Sequence, residues 1–162
     1  MRKLVVPLVL LGVLAAVIVL SQNSSTPTLR IAYVDLEKVT ESYYKWQELN
    51  EKYKRDYSFY QSKLKEMEDE LKRLQERGAS QAEIQKKQEE ILARKTEYEN
   101  ILRNEYQPKI QEVINEVVKK ITEYASVMRY NLVLIKQNVV LYGDPALDIT
   151  QQVIAYINSG KK

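Results

Sequence analysis

Apolar side chains recur every seventh residue at Val39, Trp46, Tyr53, Tyr60, Met67 and Leu74, and a second row runs three residues ahead at Leu36, Tyr43, Tyr57, Leu64 and Leu71. Rows spaced three and four apart share one face of a helix, so the pattern predicts a long amphipathic helix, interrupted in its second row by Asn50. The stripe reaches Leu74 and meets Arg77-Gly78-Ala79-Ser80. Glycine accepts the left-handed conformation with which helices commonly end. Ser80-Gln81-Ala82-Glu83 then has the S-x-x-E form of a capping box, in which the Ser80 oxygen and the Glu83 carboxylate satisfy amide protons at a helix start. A connection of about four residues makes the two helices antiparallel neighbours. Residues 36–128 therefore read as a helical hairpin, a coiled-coil tentacle with its tip at 77–80, marked by Gly78, Ser80 and Glu83. At ~1.5 Å per residue the first arm projects roughly 60 Å, deeper than the core of any compact domain of this size.

The second arm is polar near the tip, where Ile84, Ile91 and Tyr98 keep a sparse spacing of seven. Lower down, Tyr106, Ile110 and Val113 are echoed eleven residues on by Val117, Ile121 and Tyr124, a period of ~3.67 per turn that favours straight packing or a slight right-handed coil. Ile114, Val118 and Ala125 widen that face beyond what one partner helix covers, so the root is expected to be buried in a body. Reflection about the turn sets Leu74 against Ile84, Met67 against Ile91, Tyr60 against Tyr98, and Asn50 against Pro108. Proline inside a helix frees the carbonyl four residues back, that of Asn104, and an amide such as Asn50, or a water it holds, can satisfy it. Two readings follow: Asn50 and Pro108 form a hinge between a rigid root and a swinging arm, or Asn50 sets register and Pro108 bends the helix statically.

The body is expected at 29–35 and 129–160. Ile31, Ala32, Tyr33 and Val34 read as a buried strand and Asp35 as the cap of the following helix. The β-rich runs at 130–135 and 139–142, separated by Lys136-Gln137-Asn138, read as a β-hairpin. Gly143-Asp144-Pro145 is a turn. Asp148 or Thr150 caps a short final helix carrying Val153, Ile154 and Ile157, and those two residues are read as caps alone. The fold class is α+β, a hairpin projecting from a small β body.

The N-terminus is of another kind. Met1-Arg2-Lys3 precedes an unbroken apolar run at 4–20, so residues 1–21 are an export signal or, if retained, a membrane anchor, and 22–28, with Pro27, a linker. Either outcome delivers the rest across the membrane. The chain has 25 basic and 22 acidic residues, and without Arg2 and Lys3 the exported part is nearly neutral. That balance, with export, argues against a nucleic-acid partner. Cysteine and histidine are both absent, which removes thiolate chemistry and the commonest general base and metal ligand. The four glycines, at 12, 78, 143 and 160, make no phosphate loop. Glu68-Asp69-Glu70 reads as a solvated face. Neither a catalytic site nor a cofactor is expected. Acid-then-base pairs at i,i+4 (Glu41 with Lys45, Glu48 with Lys52, Glu68 with Lys72, Glu90 with Arg94, Glu99 with Arg103, Glu116 with Lys120) would each support the arms by ~0.2–0.5 kcal/mol.

The order of signal, strand Ile31-Ala32-Tyr33-Val34-Asp35, hairpin, Asn131-Leu132-Val133-Leu134 and the run from Leu141 through Gly143-Asp144-Pro145 to Asp148-Ile149-Thr150 with Val153 resembles the Skp/OmpH family of periplasmic chaperones, over residues 29–158. The resemblance implies a homotrimer whose hairpins surround a cavity holding unfolded outer-membrane or other exported proteins without ATP. The tip region at 61–90, with seven bases against eight acids, departs from the basic character common in that family and argues against electrostatic capture or lipopolysaccharide binding. Client-facing candidates are Tyr44, Trp46, Tyr53, Tyr57, Phe59 and Tyr60. A competing reading assigns Trp46, Tyr53, Tyr57 and Tyr60 to the seam and leaves Tyr44 and Phe59 outward. The alternative function is a membrane-tethered coiled-coil scaffold in the cell envelope, which retention of residues 1–21 would favour.

Overall fold

A computed structural model describes residues 28–137 and 139–160. The chain divides into two units, 1–30 and 31–162. In the first, residues 28–30 are exposed and without regular structure, and the expected signal or anchor at 1–21 lies outside the described residues. The second unit runs β1 (Ile31–Val34), α1 (Leu36–Ser42), α2 (Tyr44–Glu76), α3 (Gln81–Val127), β2 (Leu132–Ile135), a 3-10 turn (Pro145–Leu147) and α4 (Thr150–Asn158).

α2 and α3 are the arms. Gly78 at the turn has φ +68°, and the Ser80 hydroxyl accepts from the Glu83 amide at 3.3 Å while the Ser80 amide donates to the Glu83 carboxylate at 3.0 Å. Across the seam Tyr60 stacks on Tyr98 with ring centroids 4.6 Å apart, matching the reflected register, and Tyr53 meets Tyr106 edge-on at 5.1 Å.

The first arm is shorter than the periodicity implies, because the helix breaks at Tyr43. That residue is extended (φ −75°, ψ 127°) and its side chain is wholly buried. The break is stabilised from the far end of the chain. The Asn158 side chain accepts from the Tyr44 amide at 3.2 Å and donates to the Ser42 carbonyl at 3.0 Å, satisfying one donor and one acceptor on the two sides of the break. α2 has 33 residues, which at ~1.5 Å each is about 50 Å.

The body differs from the expected β-hairpin. β2 pairs in parallel with β1, with Ile31 opposite Leu132 and Val34 opposite Ile135. Val139, Leu141 and Tyr142 form no strand and stand exposed. The physical reason lies in the residues between the two runs. The Lys136 amide extends the ladder to the Val34 carbonyl at 2.9 Å, and the Gln137 side chain donates to Asp35 and accepts from the Leu36 amide at 3.2 Å. The chain is thereby pinned to the start of α1 at the point where an antiparallel return would begin.

Asp35 caps α1 by accepting from the Lys38 amide at 3.0 Å. Burial opposes ionisation of its carboxyl, but the bonds from the Lys38 amide and the Gln137 side chain outweigh burial and lower its pKa. Asp148 accepts from the Thr150 amide at 2.9 Å at the start of α4, whose N-cap residue is Ile149. Thr150 does more than cap, since its hydroxyl oxygen accepts from the Asp35 amide at 2.9 Å and ties α4 to the end of β1. Ala32, Val34, Val39, Tyr43, Val113, Val117, Ile121, Tyr124, Ile149, Val153 and Ile157 form one core where β1, α1, α4 and the root of the hairpin meet.

Candidate functional site

Among the described residues no cluster of acidic side chains could hold a metal, and no helix is long and apolar enough to cross a membrane. The surfaces available for recognition are the arm faces and the exposed rim of the body.

The six aromatic candidates separate by surroundings. Tyr44 and Trp46 are half-buried against the core, and Tyr44 lies edge-on to Tyr43 at 4.9 Å. Tyr60 is half-buried under its stack with Tyr98. Tyr53, Tyr57 and Phe59 are exposed, Phe59 by 57 %. Tyr53 and Tyr57, one helical turn apart, stack at 6.0 Å and form a continuous aromatic strip, whereas Phe59 points from another side of α2 with Lys63 over its ring at 5.9 Å. Beside Tyr57 an open groove of about 880 Å³ runs between the arms, floored by Tyr60, Leu64, Tyr98 and Leu102 and flanked by both signs of charge, Lys65 and Lys95 with Glu68 and Glu99. Such a groove offers aromatic and aliphatic surface without a net field.

Below it the arms are joined by polar bonds that the i,i+4 pattern did not foresee. Lys45 reaches across to Glu116, 2.9 Å from each carboxylate oxygen, and the Tyr43 hydroxyl donates to the same group at 2.7 Å. Lys45 and then Tyr43 hold the Glu116 carboxyl below its usual pKa against the effect of burial, while burial and that carboxylate push the Tyr43 phenol well up. Lys52 turns likewise to Glu105 across the seam at 2.7 Å. Lys72 pairs with Glu76, and Arg94 with Glu97, in place of the expected Glu68 and Glu90. Glu116 and Glu105 are partly shielded, whereas Glu41 and Glu48, the same-helix partners expected for Lys45 and Lys52, are exposed, so these two lysines gain more by reaching across.

Asn50 is half-buried and lines a cavity of about 170 Å³ between the arms with Trp46, Leu49, Tyr53, Tyr106 and Ile110. Pro108 sits within the unbroken α3 and, like Asn104, is exposed on the side away from that cavity. The two residues thus share a level of the hairpin but occupy different sides of α3.

On the body, sequence reasoning missed the isolation of Val139, Leu141 and Tyr142. Leu141 is fully exposed and Tyr142 89 % exposed. Their loop is anchored next door, where Gly143 lies so close to the Tyr33 ring that a Cβ there would be 2.4 Å from Cε1. A lone glycine after an aromatic was the available signal.

The family model described as "Outer membrane protein (OmpH-like)" matches residues 30–157. This chain belongs to that OmpH-like family. Among solved structures it is similar to a candidate OmpH-like outer membrane chaperone from Caulobacter crescentus CB15, at 13% identity and a TM-score of 0.57, over 83% of this chain and 87% of that one. No curated protein matches it. At that identity the likeness concerns the fold, a helical hairpin on a small body, which the OmpH-like chain described above shares.

Proposed function

We propose that this OmpH-like chain is an ATP-independent holding chaperone of the periplasm, binding unfolded outer-membrane or other exported proteins against the arms. The observation that carries the reading is the exposed aromatic strip of Tyr53 and Tyr57 beside the open groove, on a hairpin whose sequence offers no histidine, cysteine or phosphate loop. Recognition by such a surface is burial of client apolar area, which needs no chemical step. The Caulobacter protein's description as a candidate outer membrane chaperone points the same way. Phe59 adds a second point of contact, Trp46 shares a cavity with Tyr53, and Tyr60 lines the groove beside Tyr57, while Tyr44 packs against the body core.

The proposed assembly is a homotrimer held by the body. A two-stranded sheet is marginal by itself and leaves strand edges open. Around it Leu132, Ile135, Val139, Leu141 and Tyr142 are exposed, an apolar rim that a second copy would cover. Three arms would then enclose the client. Sedimentation at micromolar concentration should give a trimer. Diluting a urea-unfolded β-barrel protein into a molar excess of trimer should suppress light scattering equally with and without ATP, and only modestly less at a few hundred millimolar salt. Loss of suppression in that salt would argue for electrostatic capture and against the apolar account.

The apolar run at 4–20 supports a second reading, a tethered scaffold of the envelope, if it remains attached. The mass of the protein recovered from the envelope separates the two.

A further inference from the structure

The two sides of the hairpin seam are built differently. On α2, Lys45, Lys52, Asp56 and Glu70 recur at helical spacings that keep them on one side, and they are bonded across the seam to Glu116, Glu105, Tyr106 and Lys87. Asn50, Tyr57, Gln61 and Glu68 follow on the other side at intervals of seven, four and seven. Among the described residues none of these four has a polar bond to α3. Hollows open there instead: the groove of about 880 Å³ beside Tyr57 and the cavity of about 170 Å³ lined by Asn50.

No charged residue lines the smaller cavity. Trp46, Leu49, Tyr53, Tyr106 and Ile110 make its walls, and the Tyr106 hydroxyl is already committed to Asp56. Asn50 brings the one amide to that lining; it is half-buried, and among the described residues its side chain makes no hydrogen bond. An amide held against apolar walls loses part of its water and regains a partner only from outside the fold. Tyr53 belongs both to this lining and to the exposed strip in which it stacks on Tyr57 at 6.0 Å, so cavity and strip are continuous.

We infer that the cavity is a socket for one apolar side chain of a bound unfolded polypeptide, with the Asn50 amide hydrogen-bonded to that polypeptide's backbone. The inference rests on the reading of the arms as client-binding surfaces. A cavity of about 150 Å³ with apolar walls admits a benzene molecule, so the 170 Å³ here suits one aromatic ring or branched aliphatic side chain. The amide offers a donor and an acceptor, the same pair that an unpaired peptide group presents, so this contact is indifferent to client sequence. An acyl chain would fill the walls and leave Asn50 unpaired. From Asn50 to Tyr57 the helix rises about 10 Å, which about three residues of extended chain span. Side chains of an extended segment alternate in direction, so with one in the socket the next of that row reaches the Tyr53–Tyr57 strip. Segments that alternate apolar and polar side chains, as barrel strands do, fit this arrangement.

Trp46 lines the socket and is the single tryptophan of the chain, so its emission reports occupancy. The probe is a β-barrel protein with every tryptophan replaced by phenylalanine, unfolded in urea and diluted into the intact chaperone. Trp46 emission should move to shorter wavelength as this client is held. Asn50→Leu should weaken holding on the order of fivefold, through the lost hydrogen bond and the filled socket. The sign of that change is decisive, because leucine adds apolar surface and attraction to surface alone predicts tighter holding. Leucine also suits the apolar row that Asn50 interrupts, so the variant should fold, as circular dichroism would verify. Client held with unchanged Trp46 emission, or held by Asn50→Leu at least as tightly as by the native chain, would overturn the socket and leave the holding role of the arms standing. Failure of the native chain to hold client at all would overturn both. The same emission shift from phosphatidylcholine vesicles alone, with no further change on adding client, would assign the cavity to acyl chains and overturn the socket.

Discussion

At the root of the hairpin Tyr43, Val117 and Val153 are wholly enclosed, and Asn158 satisfies the backbone of a broken helix, whereas along the arm Leu64 is the buried position of α2. The root is stabilised by long-range packing, the arm by a thin seam and cross-arm bonds of charged groups. The difference teaches where each kind of substitution should act: root changes cost stability, and arm changes cost binding.

The strongest way to test that division is Tyr43→Ala. It removes a buried ring and strips Glu116 of one donor, and losing a large buried aromatic costs about 3–5 kcal/mol. Denaturant unfolding should show that loss, and a change within ~0.5 kcal/mol, as expected of a surface site, would mean the root is not the anchor. Gly143→Ala should come next. Its Cβ would meet the Tyr33 ring at 2.4 Å, and overpacking of that kind costs typically ~1–3 kcal/mol.

Asp35 contributes to the pH dependence of the root, and so does Glu116. Its folded pKa is lowered by Lys45 and Tyr43, so its contribution is complete above the ordinary carboxylate range and is lost as the pH falls through the lowered value. Thermal unfolding followed by circular dichroism should therefore show falling stability below about pH 4.3. Glu116→Gln should flatten that fall and cost about 1–2 kcal/mol at neutral pH, through loss of charge-assisted bonds.

Ser80→Ala belongs to the arm. The capping box at the tip is exposed, and a lost N-cap costs typically ~1 kcal/mol. Hydrogen exchange should quicken in the amides around residues 80–83 while the global melting temperature stays nearly fixed. Equal protection there and at the root would erase the distinction between the two regions. The smallest stability effect is expected for Tyr57→Ser with Phe59→Ser, within ~0.5 kcal/mol for each exposed site, together with a clear loss of aggregation suppression.

The arms were legible in the sequence because a seven-residue spacing repeats locally and a capping box spans only four residues. The body was legible in composition but not in pairing. The runs at 130–135 and 139–142 suit a hairpin as well as separate segments, and the decision lies in Gln137 meeting Asp35 and Leu36 across the length of the chain. The break at Tyr43 was hidden for the same reason, since Asn158 supplies its hydrogen bonds from 114 and 116 residues away. The aromatic rows told which residues lie on α2 and not how deeply each sinks. Tyr57 and Trp46 both sit in the apolar rows, yet Tyr57 stands out beside a groove while Trp46 leans on the core. Charge pairing failed at Lys45 and Lys52, whose better partners are on the opposite arm.

The central claim, that the arms take clients and the body takes copies of the chain, can be read directly by placing a photo-crosslinking phenylalanine analogue at Tyr57 on the arm or at Tyr142 on the body. With an unfolded β-barrel protein present, position 57 should crosslink to that client, and position 142 should crosslink to a second copy of this chain whether or not client is added. Crosslinking of client at position 142 with none at position 57 would contradict the account.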